Sequence, residues 1–148
     1  MSDVNQSLAV ELGVRFTSSS SGFITGVRFY KGVNNTGTHV GHLWSNSGAL
    51  LASATFTGES GSGWQQVNFS SPVAITANTV YVASYFSPTG DFPVDRNYFN
   101  VAVNNPPLQA MQNGTSGLNG VYNYGSSSAF PTTSFQASNY WVDIVFSH

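Results

Sequence analysis

The sequence predicts an all-β fold, an antiparallel β-sandwich with jelly-roll-like character. Three observations support this prediction. Short segments alternate between apolar and polar side chains, as half-buried strands do. Polar turns that contain Gly or Pro separate these segments. No segment of the length of a typical helix shows helical periodicity with capping residues, so helices contribute little to the predicted architecture.

Eight segments follow the alternating pattern of strands. In the first of them, Leu12, Val14 and Phe16 share one face, which predicts that all three point into the core. The last segment is equally regular, with Val142 and Ile144 on a common face. The eight predicted strands are residues 10–16, 23–31, 39–45, 49–56, 64–69, 79–86, 98–103 and 139–146.

The region 88–137 differs from the rest of the chain. It is rich in Pro, Asn, Gly, Ser and Tyr. Long loops in compact domains are usually functional or disordered. Its many Phe and Tyr residues favour order, so we expect an ordered loop layer over one end or face of the sandwich. Within it, residues 108–114 suggest one short helical turn, because Gly114 suits a left-handed C-terminal cap.

The length of 148 residues is that of one domain. Only 7% of the residues are charged, against about 25% in an average domain. With 41% hydrophobic residues, the chain can fill a core, and Ser, Thr, Asn and Gln must cover its surface. We expect residues 1–9 to form a flexible segment or linker and residues 10–148 to form a single β-sandwich module.

Charge and hydropathy exclude several function classes. The net charge is −2 and no Lys/Arg cluster is present, so the sequence predicts no nucleic-acid partner. No apolar run reaches the roughly 20 residues that span a bilayer, which predicts no membrane insertion. The first ten residues lack the basic start and apolar run of a signal peptide. If the protein is exported, we expect its signal to lie outside these residues.

His39, His42 and Trp44 follow the polar turn "VNNTGT". Residues three apart on a strand point to opposite faces, so the two histidines are a poor metal pair. No Cys is present to complete a zinc site. The favoured interpretation is a hairpin with surface histidines, in which Trp44 packs in the core.

Asp91, Asp95 and Arg96 form the polar group of the segment "TGDFPVDRNYF". Two carboxylates could act as the acid and base of a glycosidase, which requires a separation of about 5–10 Å. They could also bind calcium, or hydrogen-bond to sugar hydroxyls. A solvated loop with a local Asp–Arg pair is the simplest interpretation. Calcium near Asp91 and Asp95 remains a hypothesis, and no other cofactor is predicted.

Asp143 lies between Trp141 and Val145 in a chain that is poor in charge. A buried carboxylate needs a partner. Arg28 and Lys31, in another predicted strand, are the expected partners of Asp143 in an ion pair or hydrogen bond.

Four aromatic residues of the last third of the chain are candidates for sugar binding: Tyr98, Tyr122, Tyr124 and Trp141. Aromatic rings stack on the C–H faces of pyranose rings, while Asp and Arg side chains bond hydroxyl groups. The alternative is that these aromatics attach the long loop to the core. Both roles can coexist.

Recognised catalytic motifs are absent. The sequence contains no G-x-S-x-G nucleophile elbow, no phosphate-binding glycine loop and no H-E-x-x-H zinc motif. We therefore expect a protein without enzymatic activity.

The ordered motifs "GVRFYKG", "NTGTHVGHLW" and "NYWVDIVF", together with "GWQQVNFSSPVAITANTVYVASYFSP", resemble a bacterial family of domains of unknown function. The resemblance covers residues 10 to 146. It implies a β-sandwich module of large secreted or surface proteins, joined to glycan-active enzymes, immunoglobulin-like domains or adhesin-like repeats. It implies no catalytic residues.

The predicted function is that of a non-catalytic carbohydrate-binding module, secreted or at the cell surface, that tethers a multidomain protein to polysaccharide. The predicted ligand-binding residues are Asp91, Asp95, Arg96, Tyr98, Tyr122, Tyr124 and Trp141. The expected partners are a polysaccharide or oligosaccharide and other domains of the same polypeptide, and the module is expected to be a monomer. The alternative is a structural or adhesive spacer domain without a sugar site.

Overall fold

A computed structural model describes all 148 residues of the chain and shows an all-β sandwich. It has thirteen strands and one short 3-10 turn, Tyr98–Asn100, and no α-helix. The strands are β1 Ser2–Asn5, β2 Val10–Ser18, β3 Gly22–Lys31, β4 Val40–Ser45, β5 Leu50–Thr55, β6 Gly63–Ile75, β7 Tyr81–Ser87, β8 Asp91–Val94, β9 Val103–Asn105, β10 Leu108–Ala110, β11 Val121–Tyr124, β12 Thr133–Ser134 and β13 Val142–Ser147. No helix with the length and apolar character of a bilayer-spanning segment is present.

The strands form a large sheet, a small sheet and a two-stranded ribbon, in which all pairings are antiparallel. The large sheet has the order β12-β11-β2-β7-β4-β5, and β10 joins the free part of the β2 edge and pairs with β9. The small sheet has the order β13-β3-β6. Strands β1 and β8 form the ribbon.

The core lies between the large and small sheets. Leu12, Val14 and Phe16 are all buried there, which confirms the predicted inward face of β2. At its centre, Phe29 of β3 stacks on Tyr85 of β7 with ring centroids 4.2 Å apart. Fully burying a side chain of this size stabilises the fold by roughly 1.5–3 kcal/mol.

Two local predictions were wrong. Residues 98–103, predicted as a strand, form the 3-10 turn and lead into β9, which begins at Val103. Residues 108–110, predicted to begin a helical turn, form β10, because two neighbouring strands offer them backbone partners. The segment 1–9, for which we expected a flexible segment or linker, includes β1, which pairs with β8 over four residue pairs.

The predicted hairpin across the turn "VNNTGT" is absent, because β3 belongs to the small sheet and β4 to the large sheet; β4 forms a hairpin with β5 instead. Neither histidine is on the surface. The two side chains do point to opposite faces of the large sheet, as the spacing predicted: His39 enters the core beside Phe29, and His42 lies on the outer face. The outer face is covered by the segment that carries Phe130, which packs on Trp44. Trp44 is buried, as predicted, although in this second, smaller cluster.

Each buried histidine is paired with a glutamate. His42 Nδ1 lies 2.9 Å from Glu11 Oε2, and Glu11 is only 1% exposed. His39 Nδ1 lies 2.9 Å from Glu59 Oε1, which also accepts a contact from Lys31 Nζ at 3.0 Å. Buried charged groups require such partners.

We predict that the stability of the fold falls between pH 7 and pH 5 because of His39. Burial lowers the pKa of His39, and the nearby Lys31 charge acts in the same direction, while Glu59 only partly opposes them. The unfolded chain, with an ordinary pKa near 6.5, therefore takes up the proton more readily. The stabilising contribution is complete above about pH 6.5 and is lost as the pH falls below it, by at most about 1.4 kcal/mol per pH unit.

Urea unfolding at intervals between pH 5 and pH 8 measures this slope. The His39→Gln variant should show a flatter dependence over the same range. An identical slope in the variant and the parent protein would assign the pH dependence to other groups.

Candidate functional site

The structure distributes the seven predicted ligand-binding residues over three places. Two surface cavities take six of them, and Asp91 lies in neither. Asp95, Tyr98 and Trp141 belong to the first cavity or its border, and Arg96, Tyr122 and Tyr124 belong to the second.

The first cavity, here the tryptophan cavity, has a volume of about 220 Å³ and opens where β2 and β10 face β13. Three partly exposed aromatic rings lie at the cavity, in addition to the buried rings of Phe16 and Phe99. They belong to Trp64 of β6, Tyr98 of the 3-10 turn and Trp141, which directly precedes β13. The ring of Trp141 packs edge-on against the other two, with centroids 6.5 Å from Trp64 and 5.5 Å from Tyr98. The full lining is Val14, Phe16, Trp64, Tyr98, Phe99, Val103, Asn105, Leu108, Gln109, Ala110, Asn139, Trp141, Val142, Asp143 and Ile144.

Sheet order explains why two tryptophans distant in sequence meet. Strand β3 lies between β13 and β6. Tyr30 of β3 is in register with Trp64, and its N–H donates to the carbonyl of Trp141 at 3.0 Å. The pairing of Tyr30 with both neighbours therefore brings the two indoles to the same end of the small sheet.

Trp141 is held in an unusual conformation. Its φ angle is 58°, in the left-handed region that bulky residues rarely adopt. The Asn139 Oδ1 accepts its backbone N–H at 2.7 Å, and its indole Nε1–H donates to Asp95 Oδ2 at 2.9 Å. Backbone strain of this kind costs on the order of 1–3 kcal/mol and is concentrated at functional sites. The contacts of Asn139 and Asp95 fix the indole at the mouth of the cavity.

Polar groups surround this aromatic platform. Arg28 lies over the Trp64 ring, with its Cζ 4.7 Å from the centroid. Asp143, Asn105 and Gln109 line the cavity with hydrogen-bonding groups. A concave apolar site with a few polar groups is the usual form of a small-ligand site.

The expected ion pair of Asp143 is absent. Asp143 is exposed rather than buried, so it needs no cationic partner. It lies opposite Arg28 in the β13–β3 register, yet it forms no salt bridge with it, and its Oδ1 accepts the N–H of Ile144 instead. Lys31, the other expected partner, contacts Glu59.

The second cavity, here the tyrosine cavity, has a volume of about 210 Å³. Tyr122 packs edge-on against Tyr124 at 5.3 Å and against Tyr140 at 6.4 Å. The Arg96 guanidinium stacks over the half-exposed ring of Phe135 at 5.1 Å. The lining is Gln6, Val10, Leu12, Phe92, Arg96, Tyr122, Tyr124, Phe135 and Tyr140.

Two tyrosine hydroxyls of this cavity, those of Tyr124 and Tyr140, stay protonated at neutral pH because burial raises their pKa. Burial raises the pKa of Tyr140 to about 12, against the opposing effects of the nearby Ser138 side chain and of the Arg96 charge. Burial also raises the pKa of Tyr124, with a smaller contribution from Tyr122. The Tyr124 hydroxyl donates to Gln6 Oε1, so the hydroxyls of Tyr122 and Tyr140 are the ones that can donate to a ligand.

A short antiparallel bridge separates the two cavities. The N–H of Asp95 donates to the carbonyl of Asn139 at 2.9 Å, and the N–H of Asn139 donates to the carbonyl of Asp95 at 2.8 Å. Alternation along this bridge sends neighbouring side chains to opposite sides. Asn139 and Trp141 line the tryptophan cavity, whereas Arg96 and Tyr140 line the tyrosine cavity.

Asp91 does not join either site. It is buried in β8, and its carbonyl accepts the hydroxyl hydrogen of Ser87 at 2.9 Å. Four residues of extended chain separate Asp91 from Asp95, a distance of about 13 Å. This separation is too long for one calcium ion to bind both carboxylates directly, and no group of three or more His, Cys, Asp or Glu residues forms a metal site. It also exceeds the spacing of a glycosidase acid pair.

Sequence reasoning missed Trp64, Arg28 and Asn139 as site residues. Residues 64–69 were predicted as a strand, but alternation alone does not show which aromatic side chains face solvent at a sheet end. Trp64 is 42% exposed. The Asn-Tyr-Trp order gave a weak signal, because Asn often bonds the backbone two residues further on.

Comparison with known proteins identifies the family. No protein with a curated description matches the chain. The model of a family described as domain of unknown function, DUF4082, matches residues 1–142. Because this match spans nearly the whole chain, the protein belongs to the DUF4082 family.

Proposed function

We propose that this domain is a non-catalytic carbohydrate-binding module and that the tryptophan cavity is its sugar site. The observation that carries the proposal is the fixed, partly exposed group of Trp64, Tyr98 and Trp141 at the mouth of an apolar cleft. Such rings can stack on the apolar faces of a pyranose. The carboxylate of Asp143 and the amides of Asn105 and Gln109 can bond its hydroxyl groups.

The exposure of these rings favours binding over the alternative, a structural spacer. A spacer uses aromatic residues to fill its core, whereas Trp64 and Tyr98 are 42% and 36% exposed. The strained backbone of Trp141 supports the same conclusion, because a residue with only a packing role could adopt an ordinary conformation.

The wider setting is also part of the proposal. A sugar site of this size suits a module that works beside other domains of one polypeptide, secreted or at the cell surface, as a monomer. Attachment to an insoluble glycan raises the local concentration of the attached domains. The long separation of Asp91 from Asp95 and the lack of nucleophile motifs favour a role without catalysis.

We predict that Trp141→Ala weakens glycan binding by at least about tenfold, equivalent to 1.4 kcal/mol. The variant loses the ring that contacts both other aromatics, so Trp64→Ala should weaken binding in the same direction. Affinity gel electrophoresis against neutral and acidic polysaccharides from plants, algae and fungi measures the effect.

Phe23→Ala is the matched control, because Phe23 is as exposed as Trp64 but lines neither cavity. Thermal melting of each variant separates lost binding from lost folding. If the folded parent protein is retarded by none of the polysaccharides, the spacer function is the better description. If a sugar binds but folded Trp141→Ala binds equally well, the site lies elsewhere.

A further inference from the structure

Arg96 is a cation without an acidic partner. The chain has only four Lys and Arg residues. Lys31 bonds Glu59 and Arg15 donates to the carbonyl of Ser116, whereas Arg28 and Arg96 each stack on an aromatic ring. Arg96 forms no salt bridge. Stacking on Phe135 supports its planar group from one face and leaves its N–H edge available for a ligand.

The rest of the tyrosine cavity also favours a negatively charged ligand. No Asp or Glu lines it, and its polar groups are Gln6 and the hydroxyls of three tyrosines. The Arg96 guanidinium also affects the interior of the cavity, since its charge lowers the pKa of the buried Tyr140 hydroxyl against the larger effect of burial. A carboxylate placed here would meet one cation and the hydroxyl donors of Tyr122 and Tyr140, since the Tyr124 hydroxyl donates to Gln6.

The tryptophan cavity lacks this bias towards a negative charge. Asp143 lines it, while Arg28 lies over the Trp64 ring. The Asp95 carboxylate accepts the Trp141 indole N–H and pairs with the Met1 ammonium. Charges of both signs therefore lie around the tryptophan cavity, whereas Arg96 is the only charged residue that lines the tyrosine cavity.

We propose that the tyrosine cavity is a second sugar subsite, which selects a uronic acid residue through its carboxylate. Arg96 would bind the carboxylate in two parallel hydrogen bonds, the geometry to which the planar guanidinium is suited. Tyr122 and Tyr124 would contact the ring. This inference rests on the proposed function and deepens it, because it assigns acidic polysaccharides as the preferred class.

The test uses polymers that differ only in charge. Polygalacturonate and alginate are each compared with their methyl esters, which keep the sugar ring but neutralise the carboxylate. The parent protein should bind the acids more tightly than the esters, by about fivefold to tenfold for a hydrogen-bonded charged group. The preference should shrink as the salt concentration rises.

Variants of Arg96 test whether its side chain causes the preference for the acid over the ester. Arg96→Gln should abolish the preference for acid over ester, and Arg96→Lys should restore only part of it, because lysine keeps the charge without the planar fork. Arg15→Gln is the control for net charge, because Arg15 lines neither cavity. Its neighbours in β2, Val14 and Phe16, line the tryptophan cavity instead. This control should keep the preference.

The outcomes separate the two proposals. Binding of neutral polymers that depends on Trp141, with no preference for uronates, would overturn the second subsite and leave the proposed function standing. Tighter binding of a sulfated galactan than of either polyuronate would overturn the carboxylate assignment. Binding of no glycan by the folded domain would overturn both proposals.

Discussion

Replacing His42 with alanine should lower the free energy of unfolding by about 3–5 kcal/mol, the usual cost of leaving a buried carboxylate without its partner. The reason lies in its partner. Glu11 is almost fully buried, and its Oε1 already has no hydrogen-bond partner. Without His42, its Oε2 would lose its partner as well. For a domain of this size, the melting temperature should fall on the order of 10 °C.

Thermal melting and urea unfolding check this prediction, and a double variant identifies the cause. Replacing Glu11 and His42 together with leucine should recover most of the lost stability, because an apolar pair of similar volume carries no desolvation cost. His148→Ala, at an exposed position, should change stability by less than about 0.5 kcal/mol. Equal destabilisation of the single and double variants would show that lost packing, rather than an unpaired carboxylate, causes the loss of stability.

The two histidines His39 and His42 show how much of the structure could be predicted from the sequence. Alternation correctly predicted that His39 and His42 occupy opposite faces, because side-chain direction in a strand depends only on local geometry. It did not predict that both faces are covered. The outer face is buried by the segment around Phe130, and nothing local to His42 indicates this distant contact. The resemblance to a family of domains of unknown function is confirmed by the DUF4082 match.

The candidate site was predictable only in part for a similar reason. Tyr98, Tyr122, Tyr124 and Trp141 stood out as aromatics in a polar region, but their division between two cavities follows from the Asp95–Asn139 bridge. That bridge joins residues 44 positions apart, as their numbers show. Nothing in the residues around Asp95 or Asn139 distinguishes this pairing from other pairings.

The Asn119 side chain takes the place of a strand beside β2. Its removal should lower the free energy of unfolding by roughly 2–6 kcal/mol, which is 1–3 kcal/mol for each of two buried groups left unpaired. Strand β2 pairs with β11 at one end and with β10 at the other. In the gap, Asn119 Oδ1 accepts the N–H of Arg15 at 2.8 Å, and its amide donates to the carbonyl of Met111 at 2.6 Å. Asn119→Ala would leave both backbone groups without these partners.

The effect of this variant should reach both cavities, although Asn119 lines neither. Strand β10 contributes Leu108 and Gln109 to the tryptophan cavity, and β11 contributes Tyr122 and Tyr124 to the tyrosine cavity. Loosening the connection between β10 and β11 should therefore weaken glycan binding even where the domain remains folded. Urea unfolding and affinity electrophoresis on the same preparation measure the two effects together.

Two further variants distinguish the hydrogen-bonding role of Asn119 from simple packing. Asn119→Asp has nearly the same shape, but its carboxylate would face the Met111 carbonyl that the amide now bonds. This placement raises the pKa of the new carboxyl in the folded state, so the variant should recover stability as the pH falls from 7 to 5. Asn123→Ala, which loses only one exposed bond to the Tyr124 carbonyl, should change stability by less than about 0.5 kcal/mol. If Asn119→Asp matches the parent protein at pH 7, the amide of Asn119 is not needed to hold the two strands on β2.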